Sequence, residues 1–230
     1  MILVIVAKFI AVVVVGYLLG SIPFGVLIGR RMAKVDIRQH GSGKMGATNV
    51  LRTAGRKAAV IVAILDVLKG VLAVIFAGLI WWGLSIIEGE STSWWLLTSA
   101  QVAAALAALA GHIWPIFLKF RGGRGVAPFF GGLIVLCPLA ALFGGEVLII
   151  GVVLTRFASL GSIAGAVGAY TLLIPLTIMN GFPFEYLFYA LIGVIVIIFM
   201  HRDNITRLVS GRERRLGEKV NPLPPTESTG

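Results

Sequence analysis

The chain has 230 residues, of which 58% are hydrophobic and only 13% charged, with a mean hydropathy of +0.97. A soluble core of this length has no use for so much apolar side chain, and the apolar runs are too long for strands and lack a barrel's alternation. The expected class is therefore an all-α, polytopic helical membrane protein. The net charge of +10 would suggest nucleic acid in a soluble chain. Beside membrane spans it marks basic inner loops that face anionic headgroups, so no nucleic-acid partner is expected.

The first apolar run, 2–29, is long enough to cross a bilayer. It carries Lys8 but no basic leader or small-residue cleavage site, so a retained span rather than a signal peptide is expected. Gly16 with Gly20, and Gly25 with Gly29, are spaced to let another helix approach closely, and Pro23 should kink or end the helix near Ser21. The next segment holds Arg30, Arg31, Lys34, Arg38, Lys44, Arg52, Arg56 and Lys57 against Asp36 alone, so it is expected in the cytoplasm and the amino terminus outside.

A second span is expected at 58–82, followed by an outer connection with Glu88 and Glu90. A third, 94–112, returns to Lys119, Arg121 and Arg124 inside. From 126 to 143 the chain crosses out to Glu146, and 147–154 returns to Arg156. That return run is short, so five spans instead of seven is the alternative there. Residues 160–179 then go out and 186–200 come back to His201, Arg202 and Arg207. This threading of about seven transmembrane helices leaves the carboxyl terminus cytoplasmic and puts every Lys and Arg inside except Lys8 and Lys69. Residues 1–216 form one integral membrane domain, and 217–230 a polar, proline-bearing tail expected to be disordered.

Four segments on the inner side carry chemistry. The loop His40–Arg52 fails the Walker A pattern, because Met45 follows Lys44 and Arg38 stands where the first glycine is required. It still collects Gly41, Gly43, Ser42, Thr48, Asn49 and Arg52, a set of N–H groups, hydroxyls and a fixed cation suited to an anion. A flexible linker is its bland alternative. The second segment, Gly122-Gly123-Arg124-Gly125, leads straight into an apolar helix, which suits a phosphate held by backbone N–H groups, and Arg124 adds a charged fork. Just upstream, His112 is expected to bond a helix end.

The third segment, Thr155 to Ser162, either adds hydroxyls to the same pocket or satisfies backbone where two helices meet. In the fourth, His201 and Asn204 are three apart, so one side of a continuing helix would present a base and an amide. Asp66 and Lys69, inside the second span, are expected to pair with each other. Cys137 is the only cysteine. It lies in an apolar run, excludes an intrachain disulfide and reads as a small buried hydrophobe.

These motifs resemble the bacterial membrane glycerol-3-phosphate acyltransferases that use acyl-phosphate as donor. The match rests on Gly41-Ser42-Gly43 with Gly46-Ala47-Thr48-Asn49 and Arg52, Asp66 with Lys69-Gly70, Gly111-His112 with Gly122-Gly123 and Gly125-Val126-Ala127, Thr155-Arg156-Phe157, and His201 with Asn204. The resemblance implies a multi-pass enzyme of the bacterial inner membrane, its site open to the cytoplasm, making lysophosphatidate for phospholipid synthesis. It implies that Ser42, Arg52, His201 and Asn204 are needed for activity and that the second-loop glycines serve glycerol 3-phosphate. Lys44 stands where many relatives have Asn, Arg124 where many have Lys, and Asp203 where Glu is common, which shortens a carboxylate expected to be structural.

For such substrates direct transfer is expected, since the donor is already activated and no strong base adjoins Ser42 in sequence. Gly41, Gly43, Thr48, Asn49, Gly122, Gly123, Arg124, Gly125 and Ser162 are expected to bind substrate. Arg52, Arg124 and Ser42 would cradle the phosphates, and His201, oriented by Asn204, would help deprotonate the sn-1 hydroxyl. The expected partners are glycerol 3-phosphate, acyl-phosphate and membrane lipid, with no cofactor, metal or obligate protein partner. A transporter of a phosphorylated metabolite or anion is the alternative. It would need charges near the midplane and gains no support from internal repeats. A lipid-binding scaffold without turnover is a third reading.

Overall fold

The computed structural model describes residues 2–88 and 93–218. The connection at 89–92, expected on the outer side, and all but the first two residues of the tail expected at 217–230 lie outside the described residues.

The described chain is helical throughout its apolar runs. α1 (Ile2–Ser21) stops where expected, before Pro23, and a separate α2 (Phe24–Ala33) follows. α3 (Ala47–Glu88) is the longest element, with one non-helical residue, Gly55 (φ 86°, ψ 177°), inside it. α4 (Trp94–Ile113) returns, and α5 (Val126–Leu136), α6 (Pro138–Thr155), α7 (Ala158–Asn180), α8 (Phe184–Met200) and α9 (Arg202–Val209) complete the order. Among the described residues, five helical stretches are long and apolar enough to cross a membrane, or six if α8 and α9, bent by 60°, count as one broken span. α5, with 11 residues, falls short of that length.

The break between α5 and α6 corrects the sequence reading. The turn was expected at Glu146, but Glu146 is an exposed residue within α6, and the chain turns at Cys137–Pro138. Proline lacks an N–H and forces the residue before it out of helical angles; Cys137 sits at φ −148°, ψ 85°. A lone charge on a helix surface does neither. Cys137 itself is buried and free.

Small residues set the packing. A Cβ on Gly16 or Gly20 would strike the backbone of Ala104 or Ala108, so the helix that the glycine spacing allows to approach α1 closely is α4. Gly70 of α3 meets the carbonyl of Pro128 in α5, and Gly131 of α5 meets the carbonyl of Val67. At the centre, Tyr189 of α8 is fully buried, stacks on Phe129 at 5.6 Å and donates its hydroxyl hydrogen to the Phe129 carbonyl at 3.0 Å. Together these contacts hold α5 between α3 and α8.

Candidate active site

The first loop is shorter than the sequence suggests, because the chain is already helical from Ala47 and Thr48, Asn49 and Arg52 belong to the opening turns of α3. Asn49 explains the loop's shape. Its Nδ2 donates to the carbonyls of Ile37 and Lys44, both at 2.8 Å, and of His40 at 3.2 Å. Its Oδ1 accepts from the Ser42 N–H at 3.1 Å. The side chain expected to bind substrate is therefore fully occupied in shaping 37–44. Gly41 and Gly43 have φ of 63° and 67°, values that favour glycine, and they turn the backbone so that Ser42 and Lys44 face inward. Upstream, Asp36 accepts from Arg38 and Arg30, and the Arg38 side chain first among these pulls the Asp36 carboxyl well below the ordinary range.

The second loop also differs from expectation. The N–H groups of Gly122 and Gly123 donate to the carbonyls of Ile113 and His112, each at 3.0 Å, so they pin the loop to the end of α4 and are not presented to a ligand. A Cβ on Gly123 would collide with the His112 ring. Beyond Gly125 (φ 86°), the residues open to the cavity are Val126 and Ala127. As first-turn amides of α5 their N–H groups have no acceptor within the helix, the arrangement that suits an anion.

Behind the loops, Lys69 Nζ lies 2.8 Å from Asp66 Oδ1, the expected pair, and both side chains are 1% exposed. The pair has a third member. His112 Nδ1 is 3.6 Å from the same oxygen and makes no hydrogen bond among the described residues, so its ring does not cap a helix end as expected. Asp66 and His112 both line the cavity.

The third segment divides its hydroxyls. Thr155 Oγ1 donates to the Gly151 carbonyl and accepts the Phe157 N–H, closing α6. Ser162 Oγ donates to the Ala158 carbonyl at 2.7 Å, although the residue lines the cavity. Ser159 Oγ donates instead to Glu213, and this contact leads to what the sequence reading missed.

Glu213 gathers the carboxyl end. Its Oε1 accepts from Ser159 at 2.8 Å and from Asn204 Nδ2 at 2.6 Å, and its Oε2 from Arg207 Nε at 2.8 Å. Its side chain is 5% exposed, whereas that of Asp203, expected to be the structural carboxylate, is 72% exposed. Burial by itself would raise the pKa of Glu213; the bonds from Asn204, Ser159 and Arg207 outweigh that and hold it below the ordinary value. Glu213 was assigned no role from the sequence. Anchored there, residues 212–216 form a strap. The Leu216 N–H donates to the Arg156 carbonyl at 2.7 Å, and Arg52 Nη2 reaches the carbonyls of Arg214 and Arg215 at 3.3 and 3.4 Å.

Asn204 therefore answers to Glu213 and not to His201. The chain bends between them, and His201 Nδ1 lies 2.8 Å from the Ile197 carbonyl. A carbonyl only accepts, so Nδ1 carries the hydrogen and Nε2 of the neutral ring keeps its lone pair.

Ser42, Lys44, Thr48, Arg52, Arg124 and His201 all line one cavity of about 650 Å³. Its other end is apolar, formed by Val67, Phe130, Ile134, Leu148, Ile149 and Val152, with Ile134 and Ile149 exposed on the outer helix surfaces. Polar and apolar groups therefore line one cavity, whose apolar lining includes exposed residues of both α5 and α6. Buried Nε atoms of Arg52 and Arg124 make no hydrogen bond among the described residues. Burial, then repulsion from Arg207 and Arg52, draws the Arg124 guanidinium down to about 10 against the pull of Glu213, so it stays charged at neutral pH.

A family model described as glycerol-3-phosphate acyltransferase matches residues 10–211. A relative from Dehalococcoides mccartyi, glycerol-3-phosphate acyltransferase 3, is 64% identical over 214 residues, covering 93% of this chain and 98% of the relative. Another, the glycerol-3-phosphate acyltransferase of Halalkalibacterium halodurans, is 42% identical over 207 residues, covering 90% and 95%. Among solved structures, the glycerol 3-phosphate form of PlsY (YgiH), an integral membrane glycerol 3-phosphate acyltransferase, superposes with a TM-score of 0.74 at 37% identity, covering 91% of this chain and 96% of that one. Its lysophosphatidic acid form gives 0.72 at 36% identity, covering 91% and 95%.

Proposed function

The chain belongs to the glycerol-3-phosphate acyltransferase family, and we propose that it moves a fatty acyl group from an acyl-phosphate to the sn-1 hydroxyl of glycerol 3-phosphate. The observation that carries this reading is the cavity itself, lined by both cationic and apolar groups. Such a shape suits a substrate pair that joins two phosphates to one acyl chain.

An acyl-phosphate is a mixed anhydride with a good leaving group, so alignment and charge stabilisation supply most of what the reaction needs. Arg124 with the Val126 and Ala127 amides holds the glycerol 3-phosphate phosphate. Arg52 and the Ser42 hydroxyl face the reacting groups. The sn-1 oxygen attacks the acyl carbon, its proton passes to His201 Nε2, the bond from acyl carbon to phosphate oxygen breaks, and inorganic phosphate leaves. The acyl chain lies along Phe130, Leu148 and Val152. Asn204, Asn49, Gly41, Gly43, Gly122 and Gly123 act by shaping these groups and not by touching substrate.

Seven apolar helices threaded in alternation, α1 and α3 to α8, bring all four site segments to one end. The basic charge around that end supports a cytoplasmic site, an amino terminus outside and a carboxyl terminus inside a bacterial cell membrane.

Detergent-purified protein given labelled glycerol 3-phosphate and an acyl-phosphate should form lysophosphatidate and inorganic phosphate. Product formed only with a different acyl donor overturns the donor assignment. Absence of any acyl product from folded protein overturns the reading as a whole.

A further inference from the structure

The reaction proposed above brings two phosphates into one cavity, each carrying up to about two negative charges near neutral pH. Arg52 and Arg124 supply two cations, and the Lys69 charge is already matched by Asp66 at 2.8 Å. One further cation lines the cavity, Lys44.

Its backbone is fixed on both sides. The N–H donates to Ser42 Oγ at 3.5 Å, and the carbonyl accepts from Asn49 Nδ2 at 2.8 Å. Its half-buried ammonium makes no hydrogen bond or ion pair among the described residues. Arg124 and Arg202 repel it, and the opposing charge nearby, on Asp203, belongs to a largely exposed carboxylate. A partly desolvated cation held beside two others is unfavourable until an anion joins it. Nothing in the loop's own architecture uses the side chain.

We propose that Lys44 is a donor-specificity residue whose ammonium binds the phosphoryl group of the acyl-phosphate and stays with it as it departs. This rests on the reading of acyl-phosphate as the donor. The two phosphates have different fates, which decides the assignment. The phosphate of glycerol 3-phosphate remains in the product, and Arg124, a planar fork set beside the α5 terminus, suits a group that must stay in register. The donor's phosphate gains the electron pair of the breaking acyl carbon–oxygen bond and then leaves for water. A compact charge on a flexible stem at the water-facing loop is placed to neutralise that gain and to follow the ion out.

The test is steady-state kinetics of the purified full chain with both substrates varied, for wild type, Lys44→Gln and Lys44→Arg, with inorganic phosphate as product inhibitor. Lys44→Gln should raise the KM for acyl-phosphate and the inhibition constant of phosphate about tenfold or more. The KM for glycerol 3-phosphate should stay within about twofold, and Lys44→Arg should keep most of the wild-type donor affinity. A Lys44→Gln protein with unchanged constants, or with the rise confined to glycerol 3-phosphate, overturns the proposal. So does a Lys44→Gln protein that fails to fold, since that would make the side chain structural. Wild type that does not accept acyl-phosphate at all is a different result and overturns the donor reading beneath it.

Discussion

Arg52 and Arg214, 162 positions apart in the chain, meet at 3.3 Å, the guanidinium of one donating to the backbone carbonyl of the other. A cavity residue and the carboxyl-terminal strap are thereby one unit. Replacing Arg52 with alanine should lower kcat/KM by about a hundredfold or more, as loss of a fixed donor at a developing charge does. It should also loosen the strap. Limited trypsin digestion should cut at Arg212, Arg214 and Arg215 faster in the variant than in wild type.

His201→Gln should keep the fold and lower kcat by about 10²–10⁴-fold with little change in either KM. Turnover measured at saturating substrate checks this. A variant with wild-type kcat would remove the base assignment.

Glu213→Gln should destabilise by about 3 kcal/mol, because it removes the ionic partner of Arg207 and weakens the bonds from Asn204 and Ser159. The pH dependence follows from the direction of its shift. The folded-state pKa lies below the ordinary 4.5, so the ionised group stabilises the protein at neutral pH. That contribution declines as pH falls through 4.5 and below. Melting temperatures of the two proteins in detergent should therefore differ most near neutrality and converge on acidification.

Gly70→Ala should strike the Pro128 carbonyl and push α5 from α3, costing about 1–3 kcal/mol. Because Val126 and Ala127 ride on the same helix, the KM for glycerol 3-phosphate should rise with the loss of melting temperature.

Asp66→Asn should cost about 3–5 kcal/mol, since it leaves the Lys69 ammonium buried without its counter-charge. Lys69→Met in the same protein should recover much of that loss, and thermal unfolding of the single and double variants checks it.

The sequence made the all-helical, apolar character of the chain, a close helix approach at Gly16 and Gly20, and the Asp66–Lys69 pair legible, because each follows from a local rule of apolarity, size or helical spacing. It also singled out four segments, and residues from all four line one cavity. It misread what those segments do with their polar atoms. Asn49, Gly122 and Gly123 carry ligand-like chemistry, yet their hydrogen-bonding groups serve carbonyls close by in the same loops, which residue type alone does not disclose. Glu213 was invisible because its partners lie 54, 9 and 6 residues away and meet only after the chain bends at His201. The Cys137–Pro138 turn was legible from proline chemistry and was overridden by the more conspicuous charge at Glu146.

At 1.5 Å per residue the 11 residues of α5 reach about 16 Å, roughly half of an oily layer about 30 Å thick. A helix of that length carries Phe130 and Ile134, part of the cavity's apolar lining, and leaves its amino-terminal residues Val126 and Ala127 at the same cavity's polar groups. Water and hydrocarbon are brought face to face inside one protein, so an ionic headgroup and a long greasy tail can be joined with each remaining in the medium that dissolves it.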